Sequence, residues 1–424
     1  MGRQLSGRWP RRAVVALLSA SLMIGVSNAP PLMQAARAQE AAIDPQTAVA
    51  RLFDAEHVEP DWFAPDFLSA VPAAQVDAII ETLTTDFGRF ADVRVEGTEG
   101  VVRLERALVP VSVTLDAEGR IAELLLRPPE PLDANAPALA ARLGAVAVGE
   151  AAVLATDTMD PDGWRDRVAE RADEPMAVGS AFKLVILRAY EDAVAADTLG
   201  RTDVIALTEG DRSLPSGVLQ TLRPGTPVTL EVLAGLMIQH SDNTATDALM
   251  RVLGHEALEA ISPRNTPFLT TAQLFKLIAA SADDQRKDYA GGDAARRRAI
   301  LAELAEAPLP DVSDLRPRAT WMDAEWHMTA RELCALLASL RDAPALNGRP
   351  EPLVAPLVER DGWSWVGFKG GSEFGVLNLS AAGTTPDGRT ACAVVTANGD
   401  AAQPEDRLAM LFGALLRTLG EPMH

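Results

Sequence analysis

Strand-like segments bracket one long helical stretch in the last two-thirds of this 424-residue chain, and that order restricts the fold more than any other feature. Val153 to Thr156 reads as a short strand, and Trp363 to Lys369, Gly375 to Ala382 and Thr390 to Thr396 as better ones. Between them, from Ser180 to about Val358, apolar stripes at helical spacing run through Phe182 to Ala195, Leu230 to Leu253 and Ala330 to Leu340. A terminal helix follows from Glu405 to Leu419. A sheet whose strands come from both ends of a region implies an α/β unit with an inserted helical subdomain, and clefts often form at such junctions.

The stretch Arg127-Pro128-Pro129-Glu130-Pro131 sets off an earlier unit, because consecutive prolines stop helix and sheet alike. That unit, residues 44–130, reads as small α+β. It is helical near Pro45 to Glu56 and Gln75 to Phe87, then forms three or four strands, among them Val101 to Arg106, Leu108 to Leu115 and Ile121 to Arg127. Asp54, His57, Glu59 and Trp62 cluster where its first helix stops. A solvated helix end is the expectation there, with packing or partner binding as the unit's task.

The first 38 residues hold five arginines (Arg3, Arg8, Arg11, Arg12, Arg37) and no acid, with an apolar run from Ala13 to Val26 and small residues at Ala36-Arg37-Ala38. This is the pattern of a secretory leader cleaved near Ala38, and the run is too short for a spanning helix. A secreted or periplasmic protein without a membrane anchor is expected. Taking the leader's five arginines from 39 basic residues leaves 34 against 59 acidic ones, a formal charge of −25. Such a surface repels nucleic acid and anionic lipid. Cys334 and Cys392 each sit in an apolar stretch and are expected as two buried thiols rather than a bridge. Five scattered histidines lack ligand spacing, so neither a metal site nor another cofactor is expected.

Of the 39 basic residues only Lys183, Lys276, Lys287 and Lys369 are lysine. Arginine supplies charge equally well, but it cannot lose a proton, so a retained lysine marks a position where an amine is needed. Lys183 lies three residues after Ser180 in Gly179-Ser180-Ala181-Phe182-Lys183, where a helix begins. Residues at that spacing share a helix face, so hydroxyl and amine can meet. The run Leu184-Val185-Ile186-Leu187 argues that the helix is buried all round, and burial lowers a lysine's pKa toward that of a useful base. Two further segments follow in order: His240-Ser241-Asp242-Asn243 after an apolar helix, and Phe368-Lys369-Gly370-Gly371-Ser372 on a strand whose glycines let a ligand approach the backbone.

These three segments resemble the S-x-x-K, S-D-N and K-[T/S]-G motifs of the serine β-lactamase and penicillin-binding family, most closely its class A branch. The likeness covers roughly Leu143 to Leu419, with residues 143–420 as a hydrolase domain. In layout the chain is also similar to the two-domain β-lactamase-like proteins of clavulanic acid biosynthesis, in which the first unit is isomerase- or cyclase-like. The resemblance implies that Ser180 attacks a carbonyl, Lys183 takes its proton and Ser241 relays a proton to the leaving group. It implies that Asn243 holds a substrate amide, and that Lys369 supplies charge for a substrate carboxylate and tunes Ser241. Gly370, Gly371 and Ser372 would line the substrate, and the backbone N–H groups of Ser180 and Ser372 would form an oxyanion hole. A small-molecule substrate follows: a β-lactam, an ester or a peptidoglycan peptide.

The pattern also departs from the class A branch. A glutamate on a loop after the S-D-N helix frees the acyl group in that branch, and here that loop is not recognisable; Glu256 and Glu259 are the only glutamates in the interval. Gly370 stands where a hydroxyl residue is usual, and no arginine follows on Phe374 to Ala382. These departures point away from efficient penicillin hydrolysis. They leave two expectations: an esterase, weak β-lactamase or peptidoglycan amidase, or a non-catalytic binding or sensor protein that keeps a stable acyl adduct.

Overall fold

In a computed structural model, the protein is described over residues 43–131, 135–160, 163–315, 319–347, 353–359 and 361–420. The leader, residues 1–38, lies outside the described residues. The chain divides into two compact units, the first ending at Ala134 and the second starting at Asn135. Among the described residues no helix is long and apolar enough to cross a membrane.

The first unit packs helices Pro45–Asp54 and Ala73–Phe87 with an antiparallel meander of Phe90–Glu96, Glu99–Leu104, Ala107–Leu115 and Ile121–Leu126. Asp44 caps the first helix by accepting from the Thr47 N–H, and Pro45 opens it where its missing N–H costs nothing. The strand Ala107–Leu115 buries Val109, Val111 and Val113 on one face and leaves Leu108, Ser112 and Thr114 partly exposed on the other, which fixes the face turned to the helices; only Pro110 of the second face is buried. His57 is exposed and lies 2.9 Å from Asp77 Oδ2; that hydrogen bond first, then the Asp77 charge, raises its pKa. Asp77 also accepts from the Val58 N–H, so it ties down the chain just past the helix.

The second unit has the expected α/β layout. Its sheet runs in the order Trp365–Glu373, Val376–Thr384, Thr390–Asn398, Glu150–Asp160, Gly163–Glu170, antiparallel at each pairing, so its strands do come from both ends. The helix Ala136–Val146 and the terminal helix Glu405–Gly420 pack together. The helices Lys183–Ala195, Leu230–Gln239, Asn243–Leu253 and Ala330–Ser339 share one core with Leu154, Ala382, Cys392 and Val394 of the sheet. One strand is longer than the sequence pattern implies and another has no sequence pattern to mark it. Glu150–Asp160 extends the short Val153 segment, and Gly163–Glu170 carries charged residues that hide it, because only Val168 of this edge strand is buried.

The cysteine expectation is overturned. Cys334 and Cys392 are both buried, as their apolar surroundings require, yet they form a disulfide with 5.8 Å between Cα atoms. The helix Ala330–Ser339 packs on the strand Thr390–Asn398 and sets the two side chains face to face, a proximity no linear pattern encodes. By the chain-entropy relation, a loop of 58 residues makes this bond worth about 4 kcal/mol. Thermal unfolding with and without reductant, or of Cys334→Ala, is expected to show a fall in Tm on the order of 10 °C.

Candidate active site

Ser180 sits in a tight 3-10 turn, Gly179–Phe182, that runs directly into the helix Lys183–Ala195. In a 3-10 turn side chains three apart eclipse, so the turn itself stacks Lys183 over Ser180. Lys183, Leu184, Val185, Ile186, Leu187, Ala189 and Tyr190 are all buried, which removes the amine from water. Its Nζ lies 3.2 Å from Ser180 Oγ, 3.0 Å from Ser241 Oγ, 2.7 Å from Ser241 O and 2.7 Å from Asn243 Oδ1.

That constellation suits a neutral amine. The Ser241 carbonyl and the Asn243 amide oxygen can only accept, so they take the two N–H groups, and the nitrogen lone pair is left for a hydroxyl. Burial first, and then the positive charge of Lys369, lowers the Lys183 pKa well below its ordinary value. Lys369 is itself buried on the strand Trp365–Glu373, with Nζ 3.2 Å from Ser241 Oγ and 2.6 Å from the Gly370 carbonyl oxygen. Ser241 therefore stands between two lysines.

The apolar stripe expected from Leu230 to Leu253 is two helices, Leu230–Gln239 and Asn243–Leu253, broken at the site. Ser241 occupies the break at φ +52°, a left-handed conformation that costs a non-glycine residue on the order of 1 kcal/mol. Its surroundings hold it there. Ser216 Oγ donates to the Ser241 carbonyl at 2.6 Å, and the buried Asp242 carboxylate accepts from the N–H groups of Val218, Leu219 and Ala245. Asp242 thus caps the second helix and pins the loop beside it, a positioning role not recognised from the sequence. Asp247, one turn further, accepts from Thr271 and Ala272; burial raises its pKa to about 6.

The glycines of the third motif bring backbones together. A Cβ on Gly371 would stand 2.2 Å from Val178 O and 2.5 Å from Ser180 N, so the strand can approach the serine turn only because that position is glycine. Gly179 adopts φ +49°, and a Cβ there would reach the Ser372 nitrogen at 3.2 Å. The backbone nitrogens of Ser180 and Ser372 therefore each lie against a glycine of the other segment. The Ser372 hydroxyl donates to Glu405, at the start of the terminal helix. The Asn243 side chain is held at both ends, its Nδ2 donating to Leu214 O at 3.0 Å.

Ser180, Lys183, Ser241, Asn243, Lys369 and Gly371 therefore converge, and Glu256 and Glu259 do not join them. Glu256 is exposed, whereas Glu259 accepts from the Phe268 N–H and pairs with Arg298. Two carboxylates absent from the sequence reading, Glu325 and Glu373, line the cavity at Ser180. Among the described residues no group of three or more His, Cys, Asp or Glu side chains is placed to hold a metal ion.

A family model described as the β-lactamase enzyme family, Beta-lactamase2, matches residues 138–403, more than half of the chain. The chain belongs to this family. Comparison with curated proteins gives no match. The β-lactamase-family chain is similar to the solved structure of a β-lactamase from Sphaerobacter thermophilus DSM 20745, with 23% identity, TM-score 0.45, and coverage of 66% of this chain and 94% of that one. It is also similar to a class A β-lactamase from Mycobacterium abscessus (20% identity, TM-score 0.43, 68% of this chain and 100% of that one). A third, from Bacteroides cellulosilyticus DSM 14838, shares 14% identity with TM-score 0.46 over 68% of this chain and 99% of that one.

Proposed function

We propose that this β-lactamase-family protein is an exported serine hydrolase working through an ester on Ser180. One observation carries the reading: a fully buried amine, Lys183 Nζ, 3.2 Å from Ser180 Oγ and 3.0 Å from Ser241 Oγ. The neutral amine takes the Ser180 proton as Oγ attacks a substrate carbonyl, and the oxyanion is met by the N–H groups of Ser180 and Ser372. The proton leaves through Ser241 to the departing nitrogen or oxygen. Lys369 keeps Ser241 in place and offers positive charge to a substrate carboxylate, and Asn243 offers its amide to the acyl side chain.

The substrate is a small molecule with an activated carbonyl: a β-lactam, an ester or a peptidoglycan peptide. Export is supported by the leader pattern together with the Cys334–Cys392 disulfide, a bond suited to an oxidising compartment. We assign residues 1–38 to the leader, 44–130 to a separate α+β domain and 143–420 to the hydrolase domain.

Mixing the mature protein with a fluorescent penicillin is expected to give a covalent label that Ser180→Ala abolishes. Label that survives the substitution would remove Ser180 from the nucleophile's role. An adduct that never decays in intact-mass spectra would favour an acyl-binding sensor over a turnover enzyme.

A further inference from the structure

The cavity beside Ser180 holds two carboxylates that the three motifs leave unused. Glu325 precedes the short strand His327–Met328 and is 7% exposed; its Oε2 is buried without a hydrogen-bond partner. It lines the same cavity as Ser180 and Asn243, walled on one side by Trp326, whose ring stacks on Phe182 at 3.6 Å between centroids. Glu373 ends the strand Trp365–Glu373 and lines that cavity too. By two-residue alternation it shares a strand face with Lys369 and Gly371. The enclosed part of the cavity has room for about one water molecule.

A buried acceptor without a donor is a cost to the fold and calls for an explanation. The proposed acylation supplies one, because the Ser180 ester is released only if a water beside it is activated. We propose that Glu325, paired with Glu373, is the catalytic base that activates this water and frees the acyl group. The inference rests on the reading of Ser180 as nucleophile. The water oxygen forms a bond to the ester carbonyl carbon while its proton passes to the Glu325 carboxylate. The tetrahedral species then collapses with cleavage of the carbon–Oγ bond, and the same proton reaches Ser180 Oγ by way of Lys183. Ester and water become carboxylic acid and free serine, with no other reactant.

The environment fits the task. Burial first, and the negative charge of Glu373 second, raises the Glu325 pKa well above the usual carboxylate range, which makes its ionised form a stronger base than a surface glutamate. Glu325 belongs to none of the three motifs and lies far along the chain from Glu256 and Glu259.

The test uses the full mature chain with p-nitrophenyl acetate and with nitrocefin. In wild type and in Glu325→Gln, it follows the product burst and the lifetime of the Ser180 adduct by intact mass. The burst rate is expected to change by less than about threefold, and adduct decay to slow by about 100-fold or more in the variant. If Glu325→Gln fails to fold, Glu325→Asp is expected to keep the burst and slow decay at least about tenfold. Adducts that form and decay equally fast in wild type and variants overturn this inference alone, as does a wild-type adduct that never decays. Absence of any adduct in the folded wild type overturns the acylation reading and this inference with it.

Discussion

Lys183→Arg and Lys183→Met should each slow acylation of Ser180 by about 10²–10⁴-fold, the usual contribution of a positioned base. Arginine keeps the charge and cannot give up a proton, whereas methionine keeps much of the length and has no basic nitrogen. Equal losses from such different side chains would separate the need for a neutral amine from the need for positive charge. Methionine suits the buried stem of the side chain but leaves the Ser241 carbonyl and the Asn243 amide oxygen without the amine donor, so the melting temperatures of both variants are read beside their rates. Burst kinetics with a p-nitrophenyl ester measure the step directly.

The pH dependence follows in sign. Because the Lys183 pKa is depressed, the amine is neutral at and above the depressed value, and acylation falls as pH drops through it. Burial is the main cause; the Lys369 charge pushes the same way, while Asp247, Glu373 and Asp242 oppose both. Lys369→Met should therefore move the acid limb of the acylation profile to higher pH. An unmoved limb would mean that Lys183 is not the titrating base.

Gly371→Ala should cost about 10²–10³-fold in acylation, comparable to removing one oxyanion donor. The added methyl would meet Val178 O at 2.2 Å and Ser180 N at 2.5 Å. Both are backbone atoms with no rotamer to escape into. Strand and serine turn must separate, and the N–H of Ser372 leaves the N–H of Ser180. Gly235→Ala is the control: the same methyl, on the helix Leu230–Gln239, meets no atom within 4 Å and should leave acylation unchanged. Burst rate and melting temperature of both variants check the comparison, and a Gly371→Ala burst equal to that of wild type would show that this close approach is not needed.

The parts of the site legible in the sequence are those set by local spacing. Ser180 and Lys183 are three apart at a helix start, and Leu184 to Leu187 announce the burial that tunes the amine. Ser241 and Asn243 are legible from the short polar segment that follows an apolar helix, whereas the capping role of Asp242 between them emerges only in the folded chain. The edge strand Gly163–Glu170 stayed hidden because one solvated face leaves few apolar residues to alternate. The left-handed backbone of Ser241 has no signature in a serine, and the disulfide joins residues that each look like an ordinary buried thiol.

Glu325 marks the limit most sharply. Nothing in its neighbours distinguishes it from the chain's many surface acids. Burial, an oxygen left without a donor, and proximity to Ser180 and Glu373 come from segments well separated along the chain folding onto one cavity. The sequence by itself determined the layered fold and the spacing that sets Lys183 beside Ser180, because periodicity and short-range spacing are properties of a linear chain. Only the tertiary structure decided which carboxylates face the serine and which thiols meet, because burial and electrostatics depend on distances that sequence separation does not encode.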